Sequence, residues 1–264
     1  MDSIKSNALS GFIAGGLQTF TTYPLKTTIK YQYFTGDNML TSFINLKNNK
    51  DTSRFYRGIL ASCLKSCLGR MGETSVYTYF NNKENLSHSE KTSLIALTST
   101  GWKSLLIPLD TMGNMYQVRG KLGKEIIKDK IKNEGLIRTF YSGGTLYLSN
   151  MFIGSYIWFN FYMIFNNNLP KIKNDDLRNA SIGFSCTLIS DLTLNPLRIV
   201  KTYKQSSTKY ITYMDSFKEI VQSKGIGNYL GRGMGTRLLL NCLNSSIYVV
   251  LWKRFEKIFK SSDY

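Results

Sequence analysis

A single histidine, His88, and four cysteines in 264 residues leave little material for metal or thiol chemistry. Cys63, Cys67, Cys186 and Cys242 lie inside apolar stretches without any CxxC pair, so neither a zinc site nor a disulfide framework is expected. No HExxH, GxSxG or GxxxxGK[ST] motif occurs, and a catalytic triad has only a loop histidine to draw on. The chain therefore carries no enzyme signature, no cofactor motif and no ATP-binding loop. Acids are also scarce, with 17 Asp and Glu against 34 Lys and Arg, a net charge of +17. Such a surplus suits nucleic acid, anionic lipid or anionic solutes. Its scatter over helix ends and loops, with no clustered patch or reading motif, argues against nucleic acid. An unbroken block of about 20 apolar residues, the mark of a lipid-surrounded helix, is missing too. The opening MDSIKSNALSGFIAGG has an acid at Asp2 and small residues where a signal peptide carries a solid apolar block, so no cleaved presequence is expected.

What the chain does have is a repeat. Apolar runs end at Pro24 (TTYPLKTTIKYQ), Pro108 (LIPLDTMGNMYQ) and Pro196 (LNPLRIVKTYKQ), spaced by 84 and 88 residues. Between 34 and 37 residues after each proline, a glycine opens another apolar run: Gly58 in FYRG, Gly143 in FYSG and Gly233 in LGRG. Each unit reads as a helix kinked at proline, a loop with a short amphipathic helix, and a second helix. This predicts an all-α membrane protein with six transmembrane helices in three pseudo-symmetric repeats, at 1–86, 87–172 and 173–264. The long helices are expected at about 7–33, 58–81, 90–119, 143–167, 176–206 and 233–260, each long enough to span a bilayer at about 1.5 Å per residue. Polar residues recur at three- and four-residue steps in the last one (Arg237, Asn241, Asn244), a polar stripe on an apolar rod. Gly11/Gly15 and Gly183/Thr187 give the small-xxx-small spacing of close helix pairs.

These motifs resemble the mitochondrial carrier family, over nearly the whole chain. That family carries Pro-x-[Asp/Glu]-x-x-[Lys/Arg] at the end of each odd helix, and an acid-glycine pair followed by aromatic-[Lys/Arg]-Gly before each even helix. Here the second element appears as NEGLIRTFYSGG, with Glu134 and Gly135, and as SKGIGNYLGRG, with Lys224 in place of the acid. The resemblance implies a multi-pass protein of the mitochondrial inner membrane, monomeric, that moves a solute by alternating access, with no cofactor and no metal. It also implies cardiolipin on the backbone N–H groups at the helix starts Gly58, Gly143 and Gly233.

By that correspondence the matrix gate involves Lys26 with Ile29, Asp110 with Gly113 and Arg198 with Lys201, each pair lying two and five residues past a proline. The acid of one repeat should meet the base of the next. Only Asp110 with Lys201 keeps opposite charges, so Arg198 lacks a partner and the floor holds Lys26, Arg198 and Lys201 against one carboxylate. Gln117 and Gln205 fall where the family braces its bridges. On the opposite side YTYFNNKE and FNFYMIFNNN lack an ion pair, and VLWKRFEK reverses it, with Lys253 before Glu256.

Solute contacts are expected about two turns into the even helices, at Lys65, Asn150 and Leu240, flanked by Met151, Arg237 and Asn244. Lys65 is expected to be an unpaired charge. On the odd helices Thr19, Lys103 and Asp191 precede the prolines by five, and a lysine such as Lys103 within a membrane helix is a functional candidate. Lys103 could be neutralised by Asp191, and Arg70 could pair with Glu73. Basic groups beside Leu240, Met151 and aromatics favour a small anion with a planar portion, most readily a nucleotide. Carboxylates and amino acids are the alternative solutes. The alternative function is a carrier-derived membrane adaptor or scaffold that no longer transports, in keeping with the depleted gates.

Overall fold

The computed structural model describes residues 2–48, 53–81, 83, 87–168 and 175–244. The Lys253 and Glu256 pair and residues 245–260 of the sixth expected helix lie outside the described residues. The elements in chain order are α1 (Asp2–Thr35), α2 (Met39–Lys47), a 3-10 turn (Arg54–Tyr56), α3 (Ile59–Asn81), α4 (His88–Ser104), α5 (Ile107–Arg119), α6 (Leu122–Glu134), α7 (Leu136–Phe140), α8 (Gly144–Asn168), α9 (Asp175–Ser206) and α10 (Tyr213–Gly231). Residues 234–244 form a further helix, α11, where the sixth long helix is expected. The fold is all-α, with six long membrane helices in three repeats and shorter helices between them.

Pro24 lies inside α1 and Pro196 inside α9, whereas the second repeat departs from the expected single helix over 90–119. There the chain breaks after Ser104 and restarts with Pro108 in the first turn of α5. Leu105 and Leu106 donate to Trp102 and Lys103, three residues back, so the turn tightens before the proline ring, whose missing N–H costs nothing at a helix start.

Among the described residues no helix is long and apolar enough to cross a membrane by hydropathy. The reason is visible in which side of each helix is covered. Leu17 and Phe20 of α1, Leu97 and Leu105 of α4, Phe152 and Tyr156 of α8, and Phe184 and Leu192 of α9 face outward, while Gln18, Thr19, Thr22, Asp110, Asn114, Asp191 and Asn195 are buried. The polarity is inverted relative to a protein folded in water: apolar side chains meet the surroundings, and polar ones meet each other. Averaging along such a helix hides an apolar face that is continuous in space.

A cyclic set of contacts closes the three repeats on one another. The helix-opening glycines Gly58, Gly143 and Gly233 all have positive φ (78°, 78° and 65°). Each also sits against the odd helix of the following repeat. A Cβ there would stand 2.7 Å from Tyr116, 3.1 Å from Gln205 and 2.8 Å from Tyr33, respectively, so both backbone conformation and close approach demand glycine. The C-terminal carbonyls of the same odd helices are capped in the same sense. Arg54 donates to the carbonyls of Gln117 (2.9 Å) and Val118 (2.7 Å) at the end of α5. Arg119 donates to Ser206 O (2.8 Å) at the end of α9, and Arg232 reaches Tyr33 O (3.4 Å) near the end of α1. These cations satisfy carbonyls that a helix end leaves open and sit at the negative end of the helix dipole. Thr27 and Thr111, each three residues past a proline, donate to Phe55 O and Phe140 O, both at 2.7 Å, and so pin the loop before each even helix. The third repeat has Ile199 there and uses Asn195, whose amide donates to Arg232 O at 3.0 Å.

Candidate solute cavity

The buried polar faces enclose two chambers. The inner one, about 380 Å³, lies beside the proline kinks between α1, α3, α5 and α11. The outer one, about 480 Å³, lies between α3, α4, α8 and α9, and Arg70 lines both. Among the described residues, seven cations and three carboxylates line the pair of chambers. The surplus is positive, and each carboxylate is the centre of a cluster.

Asp110, two residues past Pro108, is buried on the first turns of α5. Its Oδ1 accepts from Lys65 of α3 at 2.6 Å, and its Oδ2 from Lys201 of α9 at 2.8 Å. Oδ2 also accepts from Asn114 (3.1 Å) and Gln205 (3.2 Å), and Gln205 in turn donates to Thr111 Oγ1 at 3.1 Å. One carboxylate thereby ties together all three repeats. The expected Asp110–Lys201 bridge is present in the geometry, with Gln205 bracing it. Lys65, expected to be unpaired, is instead held by the same acid. Its Nζ also lies 5.3 Å from the Tyr147 ring centroid, and that of Lys201 lies 4.8 Å from the same ring.

Asp191, on α9, has a different set of partners. Arg198 Nη1 donates to its Oδ1 at 2.6 Å and Arg237 Nε at 2.9 Å, while Asn241 contacts Oδ2. Arg198 is therefore not an unpartnered gate base; two turns of helix carry its long side chain back past the proline into the cavity. Lys26 follows the same course, donating to Thr19 Oγ1 at 3.0 Å, also seven residues back. Asp191 does not neutralise Lys103, because Lys103 meets Glu73, which also accepts from Arg70 at 3.3 Å.

Asn150 and Met151 line the outer chamber with Tyr77 and Trp158. The Asn150 amide donates to Leu146 O at 2.7 Å, and its buried Oδ1 has no hydrogen bond among the described residues. Leu240 and Asn244 line the inner chamber, and among the described residues Asn244 Oδ1 likewise has no partner. Gln117 lines that chamber too, and its backbone carbonyl is one of those capped by Arg54.

Sequence reasoning passed over Lys30 and Asn114, both six residues past a proline and both on the inner chamber wall. The signal was available: Lys30 lies one helical turn from Lys26, on the same face. Outside the membrane helices, Lys130 of α6 is buried and donates to Ser207 O at 3.3 Å, and that burial pushes its ammonium below the usual lysine range.

A sequence model of the family described as mitochondrial carrier protein matches residues 2–87 and 174–263, about two thirds of the chain. No curated protein matches.

Proposed function

The chain belongs to the mitochondrial carrier family, whose members are solute transporters rather than enzymes and generally reside in the mitochondrial inner membrane; on that premise we propose that it carries a small anion with a planar portion, of nucleotide type, by alternating access. The observation that supports this best is the excess of cations over carboxylates on the walls of a two-part cavity. Charge held away from lipid in this way is costly unless it is used. The outer chamber adds aromatic surface from Tyr77 and Trp158 and the open amide oxygen of Asn150, which suit a ring bearing N–H donors. Lys65, Arg237 and Asn244 would meet the charged end, and Leu240 the flank of the solute.

In this reading the Asp110 cluster is the matrix gate. It spans three repeats in the conformation described here, and its breakage would let the kinked helices part. Cardiolipin would lie at the helix starts after Gly58, Gly143 and Gly233, where backbone N–H groups face the matrix surface. The rival reading, a membrane adaptor that no longer transports, predicts that the cations are structural only.

Reconstitution in cardiolipin-containing liposomes with labelled nucleotides, carboxylates and amino acids decides between these readings. Saturable nucleotide uptake that falls strongly in Lys65→Ala supports the proposal. Uptake confined to a carboxylate or an amino acid corrects the solute class. No uptake of any of them, by protein shown to be folded, favours the adaptor.

A further inference from the structure

Among the described residues, Lys26 and Lys30 are cavity cations without an ion pair of their own. Both line the inner chamber, one helical turn apart on α1. Among the described residues Lys26 makes its hydrogen bond to the neutral Thr19 hydroxyl, and Lys30 lies 5.9 Å from the Tyr33 ring centroid. Neither forms an ion pair there. Asp110, whose charge also acts on Lys30, is shared already: its Oδ1 accepts from Lys65 and its Oδ2 from Lys201, Asn114 and Gln205. Its single negative charge already faces two lysines, so it cannot also neutralise a third and a fourth. Asp191 is occupied in the same way by Arg198, Arg237 and Asn241.

We propose that the solute itself supplies the missing charge, as a phosphate-bearing head seated on Lys26 and Lys30. Two features of the chamber select phosphate. Its free cations are lysines, point charges that suit a compact, multiply charged oxyanion, whereas the arginine Arg237, fit for a planar carboxylate, is already held by Asp191. Its volume of about 380 Å³ is also ample for two linked phosphoryl groups. Seated there, the head joins α1 to Lys65 and hence to the Asp110 cluster. Two residues past the prolines stand Lys26, Asp110 and Arg198, so repeat 1, like repeat 3, contributes no gate carboxylate. The anion stands in for it, so this side of the gate is held at full strength only with solute aboard.

The inference rests on the anion-carrier reading, and its test separates the two. Thermal unfolding of the purified full chain in detergent with cardiolipin is followed as inorganic pyrophosphate is added, alongside nucleotide uptake by the same preparation in liposomes. Binding to the native state alone should raise the Tm of the wild type with concentration. Lys26→Gln with Lys30→Gln should require at least tenfold more pyrophosphate for the same rise, while Lys26→Arg with Lys30→Arg keeps most of it. Without the probe the glutamine variant should melt no lower than wild type, since it loses two charges that lacked partners. A second readout needs no variant: pyrophosphate should protect Lys26 and Lys30, but not exposed Lys224, from a small amine-acylating reagent, quantified by mass spectrometry. Nucleotide uptake by the wild type with an unaltered pyrophosphate response in the glutamine variant, or with no protection of the two lysines, overturns this inference and leaves the carrier reading standing. Absence of uptake together with absence of any pyrophosphate response overturns both.

Discussion

Asp110 and Asp191 are both buried acids that each hold two cations, yet one connects repeats and the other does not. Asp110 on α5 is bound by Lys65 from the first repeat and Lys201 from the third. Asp191 on α9 is bound by Arg198 of its own helix and Arg237 of α11, both in the third repeat. The same chemistry thus does two jobs. Where the partners come from different repeats, the ion cluster joins helices of all three, which is what the proposed gate requires. Where they come from one repeat, it shapes a wall and presents arginines to the cavity. Position along the chain, rather than residue type, sets the difference: Asp110 lies two residues past its proline, at the convergence of the helices, and Asp191 lies five before its own.

The contrast is broken most sharply by Asp110→Asn. It leaves buried Lys201 and half-buried Lys65 without a countercharge, and breaking a buried ion cluster in this way costs about 3 kcal/mol. The variant should lose several degrees of Tm in detergent and nearly all uptake. Melting at the wild-type temperature would mean that the cluster does not hold the repeats together.

A charge swap sharpens the same point with a smaller effect. Asp110→Lys with Lys201→Asp should recover only part of the lost uptake, because Lys65 would then face a lysine at position 110. Adding Lys65→Gln to the swap should recover more, with a coupling on the order of 1–3 kcal/mol between these sites in a thermal-unfolding cycle. Full recovery by the swap with Lys65 unchanged would show that Lys65 is not bound to Asp110.

Asp191→Asn should be milder, about 1.5 kcal/mol, since an amide oxygen still accepts from a guanidinium and no repeat is released. Its sign on solute binding is the informative part. Removing this negative charge from beside Arg198 and Arg237 should lower KM for an anionic solute severalfold while stability declines. An unaltered KM would place both arginines outside the solute's reach. The smallest effect belongs to the exposed Lys224–Asp37 pair, 2.5 Å apart between α10 and the loop after α1. Lys224→Ala should change stability by less than about 1 kcal/mol, measured by the same unfolding assay.

The prolines and helix-opening glycines made the six-helix, three-repeat fold legible in the sequence, because each follows from a local rule. Proline recurs at one place in each odd segment, and a positive φ at a crowded position excludes other residues. The Asp110–Lys201 contact was legible through the resemblance to the carrier family, whose repeats pair these two positions. What could not be read was how far long side chains reach. Lys26 and Arg198 stand at gate positions, but each spans two turns to a residue seven back, a choice set by where a partner lies in three dimensions. Lys65 was similarly misjudged, since its acid lies on another helix, 45 residues away. The break between α4 and α5 also left no distinct mark, because Pro24 and Pro196 sit in continuous helices with similar flanking sequence.

The arginine caps described above have a consequence for how such a molecule can move. Arg54, Arg119 and Arg232 each grip the end of a helix belonging to, or shared with, the next repeat, and the sequence of grips returns to its start. The ring behaves like a three-leaf iris, in which no leaf can be drawn aside without loosening its two neighbours. Freeing one helix end exposes a guanidinium and a set of carbonyls at the same moment, so a movement that peels away a single helix meets both losses together. Tilting the leaves as blocks about their gripped ends keeps every cap in place. If the proposed gate opens, the motion that costs this architecture least is a joint rocking of its three parts, with the ion cluster at the centre breaking while the rim stays whole.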